Sequence, residues 1–411
     1  MVASERISGE YDLAIVGGGI VGLATAVRML ARDDRTRLVV LEAEADVGRH
    51  QSGHNSGVLH SGVYYRPGSL KATTCRTGKA MMEAFCAEHG VPTDICGKVV
   101  VATSAGELEA LDRIEGRAVA NGVECERIDS DRLRALEPAV AGIAALHVPV
   151  TGIVDYRQVC FAMRAVIERA GGRVITRARV DRIQLANDEL RIGFGHGELR
   201  AARMVNCAGL HSDRILRLAG GSPSAKIIPF RGEYYDLVPS SHSLCRNLIY
   251  PVPDPAFPFL GVHFTRMIGG GVECGPNAVL ALAREGYRWR DLSPRDLAET
   301  LAFGGFRKLA WRHWRMGWGE VWRSASKAAF VTALQRLIPA IRASDLQPGR
   351  SGVRAQAVSP AGDLIDDFVI DRTPHAIHVL NAPSPAATAS LAIGEHVVDQ
   401  LGQCQDDTDY D

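Results

Sequence analysis

The chain has 411 residues, which exceeds the usual size of one compact core and predicts two domains. Its 46% hydrophobic and 23% charged residues are typical of globular proteins, and the formal net charge of zero excludes a global field that would favour nucleic acid. Nine cysteines without a C-x-x-C pair argue against a metal site and a disulfide framework. Because the sequence also lacks a signal-peptide pattern and any run of about 18 apolar residues, we expect a cytoplasmic protein.

The first predicted element is a buried strand at residues 13–16, which leads into a glycine-rich turn. Gly17, Gly19 and Gly22 follow the G-x-G-x-x-G spacing. In this motif the first glycine permits the turn, the second lets the backbone approach a pyrophosphate, and the third lets the next helix pack on the strand. The helix predicted at residues 20–30 would direct its N-terminal N–H groups at the phosphate.

A second apolar strand ends in Glu42, which lies 25 residues after Gly17. A carboxylate at this position accepts hydrogen bonds from both hydroxyls of an adenosine ribose and argues against a 2′-phosphate, so NADP is disfavoured while FAD and NAD remain. Strand, glycines, helix, second strand and acid occur in the expected order. The sequence therefore predicts a dinucleotide site over residues 10–42 rather than an ordinary βαβ turn.

The next part of the chain alternates between predicted helices and strands. Residues 48–68 are rich in glycine, serine and histidine and have no helical or strand period, so we predict a loop that forms a ligand wall. Helices are predicted at 69–88, 107–121, 129–136 and 155–170, and strands at 98–104, 173–176, 180–185 and 204–209. Residues 226–275 predict several strands of a second sheet, inserted between pieces of the nucleotide-binding domain.

Residues 303–342 form a segment rich in tryptophan and arginine. Its tryptophans recur at spacings of three, four and four, which predicts one helical face: Trp311, Trp314, Trp318 and Trp322. Basic residues surround them and Glu320 is the single acid: Arg307, Lys308, Arg312, Arg315, Arg323, Lys327, Arg336 and Arg342. Two interpretations are open, a helix at a membrane surface or a helix that packs its tryptophans on the core.

The last predicted strand, at residues 376–380, is followed by the turn Pro383-Ser-Pro385. Ala386 is expected to open a helix that continues to about residue 400. Its N-terminus either faces the bound cofactor, where its dipole would stabilise negative charge, or simply begins a surface helix.

Four further blocks are distinctive: 50–65 (HQSGHNSGVLHSGVYY), 229–235 (PFRGEYY), 248–255 (LIYPVPDP) with 261–266 (GVHFTR), and 352–360 (GVRAQAVSP) with 381–388 (NAPSPAAT). With the glycine turn, Glu42 and the 205–209 turn (VNCAG), they resemble the L-2-hydroxyglutarate oxidase/dehydrogenase branch of the D-amino-acid-oxidase (glycine-oxidase-like) superfamily of FAD enzymes. The resemblance implies an α/β fold, in which a Rossmann-like FAD-binding domain (1–90, 150–220 and 350–411) carries an interleaved mixed or antiparallel β-sheet substrate domain (91–149 and 221–349).

The motifs and the resemblance together imply which residues bind FAD. These are Gly17, Gly19, Gly22, Glu42, Ser52, His54, Asn55, Ser56, Gly57, Val180, Ala208, Gly209, Pro385, Ala386, Ala387 and Thr388. No metal ligand is expected.

Oxidation of a secondary alcohol needs a base for the hydroxyl proton and a hydride acceptor, which flavin supplies at N5. The candidate bases are His263, His54 and His60. His263 is the first choice, because substrate-facing sheets in this superfamily lie opposite the flavin. His54 is expected to lie against the flavin or its pyrophosphate.

A dicarboxylate substrate needs cations or hydrogen-bond donors at both ends. The candidates are Tyr64, Tyr65, Lys71, Arg231, Tyr250, Arg266, Asn277 and Arg354. Arg266 follows His263 by three positions, so on an ideal strand the two side chains face opposite sides and share a surface only if a bulge intervenes.

The expected function is oxidation of L-2-hydroxyglutarate to 2-oxoglutarate, with electrons passed to a quinone or to oxygen. Two alternatives are an amino-acid or N-methyl amine oxidase of the same superfamily and a non-catalytic flavin- or NAD-binding module. The expected partners are a small dicarboxylate and, if 303–342 is interfacial, a membrane and its quinone. Nucleic acid is not expected. If 303–342 is interfacial, the protein would bind peripherally to the inner face of the cell membrane.

Overall fold

The computed structural model describes residues 7–195, 197–253 and 261–406, with side chains described to residue 402. Its strands are β1 (Glu10–Val16), β2 (Leu38–Leu41), β3 (Val58–Leu59), β4 (Thr93–Asp94), β5 (Lys98–Ala102), β6 (Glu126–Asp129), β7 (Ala144–Val148), β8 (Gly152–Val154), β9 (Arg173–Ile175), β10 (Val180–Ala186), β11 (Glu189–Phe194), β12 (Gly197–Asn206), β13 (Lys226–Leu237), β14 (Leu248–Pro251), β15 (His263–Arg266), β16 (Val272–Leu280), β17 (Leu346–Val358), β18 (Val369–Thr373) and β19 (Ala376–Asn381).

The helices are α1 (Ile20–Arg32), α2 (Leu70–Glu88), α3 (Leu108–Ala120), α4 (Ser130–Leu136), α5 (Tyr156–Arg169), α6 (Ser212–Leu218), α7 (Pro294–Ala302), α8 (Gly304–Arg312), α9 (Trp314–Ala325), α10 (Lys327–Gln335) and α11 (Ser390–Asp406). Three of the predicted helices begin at the expected polar residue, which caps the first turn: Ser69, Asp129 and Asp155 accept hydrogen bonds from backbone N–H groups of α2, α4 and α5. None of the described helices is both long enough and apolar enough to span a bilayer.

The first sheet contains the predicted nucleotide-binding unit. Its parallel strands are ordered β9, β2, β1, β12 and β19. The β10–β11 hairpin and β18 pair antiparallel at its edges. Both faces are covered, which explains why residues 13–16 of β1 are all apolar: Leu13 and Ile15 pack with α1, α5 and α11, whereas Ala14 and Val16 pack with the β10–β11 hairpin and α6.

The second sheet is ordered β17, β13, β16, β15, β14, β5, β7 and β6. Its neighbours pair antiparallel except for β5 and β14, which are parallel. Phe330 and Leu334 of α10 pack on Val99 and Val101 of β5, while Leu111 of α3 packs with Val100 and Leu146 from the other side. The chain enters this sheet twice, once between β4 and β8 and again after α6.

Several predicted boundaries shift. The predicted domain boundary at residue 350 falls inside β17, which pairs with β13 of the second sheet from its first residue to its last. Within the predicted loop 48–68, residues 58–59 form β3, which joins β8 and β4 in a small third sheet. The first strand of the 226–275 region is the twelve-residue β13, and the last one, β16, continues to Leu280.

The helix expected to open at Ala386 begins at Ser390 instead. Residues 384–389 form successive turns, in which the N–H of Ala386 donates to the carbonyl of Pro383 and the N–H of Ala389 to that of Pro385. The chain therefore runs through turns rather than a helical first turn where it passes the cavity described below, and the predicted dipole argument does not apply to Ala386.

The tryptophan- and arginine-rich segment is not one helix. It consists of α8, α9 and α10, with breaks at His313 and Ser326, and the residues after Gln335 are not α-helical. Trp311 lies on α8 and the other three tryptophans on α9. Their exposed fractions range from 53% at Trp314 to 81% at Trp311, so they do not pack on the core as one of the two interpretations required.

Candidate active site

The glycine turn between β1 and α1 is shaped by close contacts. Gly17 has a φ of +114°, and a Cβ there would overlap the carbonyl of Cys207 at the end of β12. A Cβ on Gly22 would overlap the carbonyl of Gly17, so α1 can pack on β1 only with glycine at that position. Gly19 differs from both, because its Cβ would meet only the Ser52 hydroxyl, at 3.4 Å.

Glu42 is oriented by backbone donors at the end of β2. Its Oε2 accepts a hydrogen bond from the N–H of Gly18 and its Oε1 from the N–H of Glu44, each at 2.8 Å. A carboxylate has further acceptor sites, and Glu42 lines the cavity, so it can accept hydrogen bonds from ribose hydroxyls. This arrangement fits the adenosine end of a dinucleotide.

A cavity of about 2050 Å³ extends from the glycine turn to the second sheet. Drug-sized sites measure about 300–1,000 Å³, so this volume accommodates a dinucleotide and a small substrate. Twelve of the predicted cofactor residues line it: Gly17, Gly19, Glu42, Ser52, His54, Asn55, Ser56, Val180, Ala208, Gly209, Ala386 and Ala387. The cradle therefore fits FAD.

Four predicted cofactor residues are not among the described residues that line the cavity: Gly22, Gly57, Pro385 and Thr388. Gly22 and Gly57 serve close backbone packing, since a Cβ on Gly57 would lie 2.7 Å from the carbonyl of Val154. Thr388 is fully buried, where its hydroxyl accepts the N–H of His60 at 3.1 Å and bonds to the Tyr156 hydroxyl at 2.6 Å. Its hydroxyl therefore holds the His60 loop.

His54 and His60 line the cavity at different places. His54 Nδ1 lies 2.8 Å from the carbonyl of Ser351, and its ring stacks on Tyr287 with centroids 4.3 Å apart. His60 Nε2 lies 3.3 Å from the hydroxyl of Ser384, next to Pro385. Enclosure by protein lowers the pKa of His60 well below its usual value, and the nearby ammonium of Lys98 lowers it further, so the ring is a neutral proton acceptor.

His263, the predicted first choice for the base, lies on β15 of the second sheet. It is buried, its Nδ1 lies 2.8 Å from the carbonyl of Gly261, and its ring stacks on Tyr250 at 4.0 Å. Burial lowers the pKa of His263 to about 3. Among the described residues it does not line the cavity, whereas His60 does, and the two imidazoles lie close enough to influence each other's charge.

Four predicted substrate residues line the same end of the cavity: Tyr64, Tyr65, Lys71 and Arg354. The Lys71 ammonium lies 2.8 Å from the Asp366 carboxylate and 5.2 Å from the centre of the Tyr65 ring. The Arg354 guanidinium is exposed to the cavity. Basic groups and the neutral imidazole of His60 therefore meet at this end of the cavity.

The other four predicted substrate residues do not line the cavity. Arg231 is buried against the Glu233 carboxylate and the Trp289 ring, and the Asn277 amide donates to the backbone carbonyl of Glu233 at 3.2 Å and accepts from the N–H of Ser324 at 3.1 Å. Arg266 pairs with Asp94 at 3.2 Å on the opposite side of β15 from His263, as an unbulged strand requires. Tyr250 lies between His263 and Lys98. In the 248–255 block, residues 254 and 255 lie outside the described residues.

Sequence reasoning missed Lys98, which lies next to the predicted candidate Tyr64. Lys98 opens β5 and is 1% exposed, with its ammonium 5.0 Å from the centre of the Tyr64 ring. Tyr64 lines the cavity, and its hydroxyl is buried without a hydrogen-bond partner among the described residues. A lysine at the head of the apolar run Val99-Val-Val101 was the available signal, because lysine is rarely buried without a purpose.

The family model described as DAO, FAD dependent oxidoreductase, matches residues 12–400. The chain is 49% identical over 387 residues to an L-2-hydroxyglutarate dehydrogenase of Indibacter alkaliphilus, with 94% of this chain and 97% of that protein covered. It is 46% identical over 392 residues to the L-2-hydroxyglutarate dehydrogenase of Escherichia coli K12, with 95% and 93% covered. In fold it is similar to L-alpha-glycerophosphate oxidase from Mycoplasma pneumoniae with FAD bound, at a TM-score of 0.79, 19% identity, and 96% and 95% coverage.

Proposed function

The chain belongs to the family of FAD-dependent oxidoreductases, as the sequence motifs predicted, and we propose that it oxidises L-2-hydroxyglutarate to 2-oxoglutarate. Its cofactor is FAD. The observation that carries the proposal is the cavity end where Lys71, Arg354 and the neutral His60 converge. The relatives named L-2-hydroxyglutarate dehydrogenase, which match nearly the whole chain, support the choice of substrate.

Each group at this end has a chemical role in the proposal. Lys71 and Arg354 bind carboxylate oxygens and hold the substrate with its C2 hydroxyl towards the imidazoles. His60 accepts the hydroxyl proton. Its lowered pKa keeps the free ring unprotonated at neutral pH, and the carboxylates of the bound substrate offset the cations that disfavour a proton there. His263 is the alternative acceptor. FAD supplies the hydride acceptor when it is bound.

This proposal predicts that L-2-hydroxyglutarate bleaches the oxidised flavin when the purified holoenzyme is mixed with it without oxygen. The D enantiomer, glycine and sarcosine are expected to leave the absorbance unchanged over the same time. Glycine and sarcosine carry a single carboxylate, so a site built for a diacid discriminates against them. Absorbance in a stopped-flow cell measures this directly. Bleaching by glycine or sarcosine alone would make the protein an amine oxidase, and no bleaching by any of them would favour a non-catalytic flavin protein.

We further propose that α8 and α9 bind the inner face of the cell membrane, which would bring the flavin to a quinone acceptor. The support is the exposure of Trp311, Trp314, Trp318 and Trp322, since indole rings favour the headgroup region. Some cations of the segment already have protein partners: Arg312 pairs with Asp363 at 2.8 Å and Lys327 donates to the carbonyl of Leu346 at 2.7 Å. Burial of the indole rings in the headgroup region therefore contributes more to membrane binding than the attraction between basic side chains and anionic lipids does.

The membrane proposal predicts that the protein co-sediments with vesicles containing anionic lipid, more weakly with neutral vesicles, and less at high salt because the charge contribution is screened. A variant with Trp311, Trp314 and Trp318 replaced by serine is expected to stay in the supernatant. Trp289→Ser is the matched control, since this tryptophan is also exposed but lies outside the segment. Negligible binding of the parent to both vesicle types would contradict the proposal and leave oxygen or a soluble acceptor.

A further inference from the structure

Lys98 lies at the inner end of the active-site region, on the second sheet. Its backbone pairs with Val148 of β7 and Leu248 of β14, so the start of β5 is fixed from both sides. The side chain is 1% exposed, and its ammonium lies 4.2 Å from the centre of the Tyr250 ring and 5.0 Å from that of Tyr64. Because Tyr64 lines the cavity, one aromatic ring is all that separates this charge from the cavity wall.

Lys98 has no anionic partner among the residues that the structure describes. The two rings give it cation–π contacts, and the other polar groups that influence its charge are the thiols of Cys75 and Cys96. Buried charges are normally paired, since removing a charge from water without a partner is costly. Burial accordingly lowers the pKa of Lys98 to about 8, so the ammonium still predominates at neutral pH.

The surroundings add positive charge rather than balance it. Lys98, Lys71 and Arg354 all act on His60, and each disfavours a proton on that ring. The carboxylate that pairs with Lys71 belongs to Asp366, whose side chain is 93% exposed. The buried Tyr64 hydroxyl is a second donor without a described partner. Asp366 and Asp367 line the cavity, but no described carboxylate contacts Lys98, so a bound substrate can supply the anion that Lys98 lacks.

We propose that Lys98 and Tyr64 form a specificity subsite for the second carboxylate of the substrate, the one remote from the carbon that is oxidised. Lys71 and Arg354 then serve the carboxylate next to the reacting hydroxyl. The inference rests on the proposed function for the identity of the diacid, but the need for an anionic group beside Lys98 follows from the unpaired cation alone. A monocarboxylate would leave the Lys98 ammonium unpaired in the complex, and the site would reject it.

The test compares a diacid with the monoacid of equal chain length in the FAD-loaded protein. Flavin reduction by L-2-hydroxyglutarate and by L-2-hydroxypentanoate gives kcat/KM, and perturbation of the flavin spectrum by glutarate and by pentanoate gives binding without chemistry. In Lys98→Met, kcat/KM for the diacid and affinity for glutarate are expected to fall about a hundredfold, while the monoacid values change less than about threefold. Lys98→Arg is expected to keep the preference for diacids.

Controls separate this role from a structural one. Lys79→Met removes another partly buried cation of the same region, which pairs with Glu83 at 2.6 Å, and is expected to leave the diacid preference unchanged. Replacing an unpaired buried charge by methionine is expected to leave Tm equal or higher, whereas a structural lysine would lower it. Should Lys98→Met fail to fold, Tyr64→Phe removes only the hydroxyl and is expected to lower diacid binding about tenfold, again selectively.

Two results would overturn the subsite: an equal loss for diacid and monoacid in Lys98→Met, or no loss for either. A parent that binds glutarate no better than pentanoate would overturn it as well. Failure of the proposed function has a different signature, in which the parent flavin is not reduced by L-2-hydroxyglutarate although glutarate still binds and Lys98→Met still weakens that binding.

Discussion

A Gly19→Leu variant is expected to fold and to be purified without FAD. Gly19 caps α1 in an extended conformation with a φ of −79°, which any residue adopts, and a Cβ there would meet only the Ser52 hydroxyl at 3.4 Å. The polypeptide itself therefore tolerates a side chain at this position. The space that leucine would fill is the part of the cavity where the backbone must approach the pyrophosphate.

The measurement is the ratio of flavin to protein absorbance, with circular dichroism to verify the fold. Gly116→Leu is the matched control, because this glycine is exposed on α3 and an added Cβ meets nothing within 4 Å. It is expected to retain a full complement of FAD. A Gly19→Leu protein that remains yellow at full stoichiometry would mean that the pyrophosphate lies elsewhere.

Replacing His60 by glutamine is expected to slow flavin reduction by L-2-hydroxyglutarate by about a hundredfold to ten-thousandfold, the usual cost of losing a general base. Glutamine keeps a polar group near the Ser384 hydroxyl, but it cannot accept a proton at neutral pH. His375→Gln is the control. This histidine directly precedes β19 and pairs with Asp188, and it does not line the described cavity. Single-turnover stopped-flow absorbance isolates the chemical step from turnover.

The pH dependence gives a second test of the same base. The pKa of His60 is lowered by enclosure and by neighbouring cations, so the imidazole of the free enzyme remains able to accept a proton as the pH falls through the ordinary histidine range. We therefore expect kcat/KM to decline only at a pH well below 6.5. If His60→Gln reduces at the parental rate while His263→Gln does not, the base is His263. Parental rates in both variants and in His54→Gln would remove the histidine mechanism.

The nucleotide-binding half was predictable because its signals are local. Gly17, Gly19 and Gly22 occur at a fixed spacing between an apolar strand and an amphipathic helix, and each meets a physical need that can be read from neighbouring residues. Helix starts at Ser69, Asp129 and Asp155 were predictable for the same reason, since a capping side chain bonds within its own first turn.

The substrate end was harder to predict, because its residues come from distant segments. Lys98, Tyr64 and Tyr250 meet only after β5 and β14 pair, and no spacing in the sequence encodes that contact. The same limit explains why Arg231, Arg266 and Asn277 were wrongly predicted to line the substrate end of the cavity. Their types suit a dicarboxylate, but their partners Glu233 and Asp94 could not be identified without the fold. In 303–342 the spacing of the tryptophans was clear, whereas the helix break at His313 was not.

The positions of the tryptophans also determine what optical spectroscopy can detect in this protein. All five are surface residues, with Trp289 51% exposed and the other four on α8 and α9. Neither of the two main hydrophobic cores contains an indole. Intrinsic emission is therefore already that of solvated indoles in the native state, and it changes little when the cores unfold. Thermal stability in this protein is better followed by circular dichroism or by the fluorescence of released flavin, which leaves the indole signal free to report contacts made by α8 and α9.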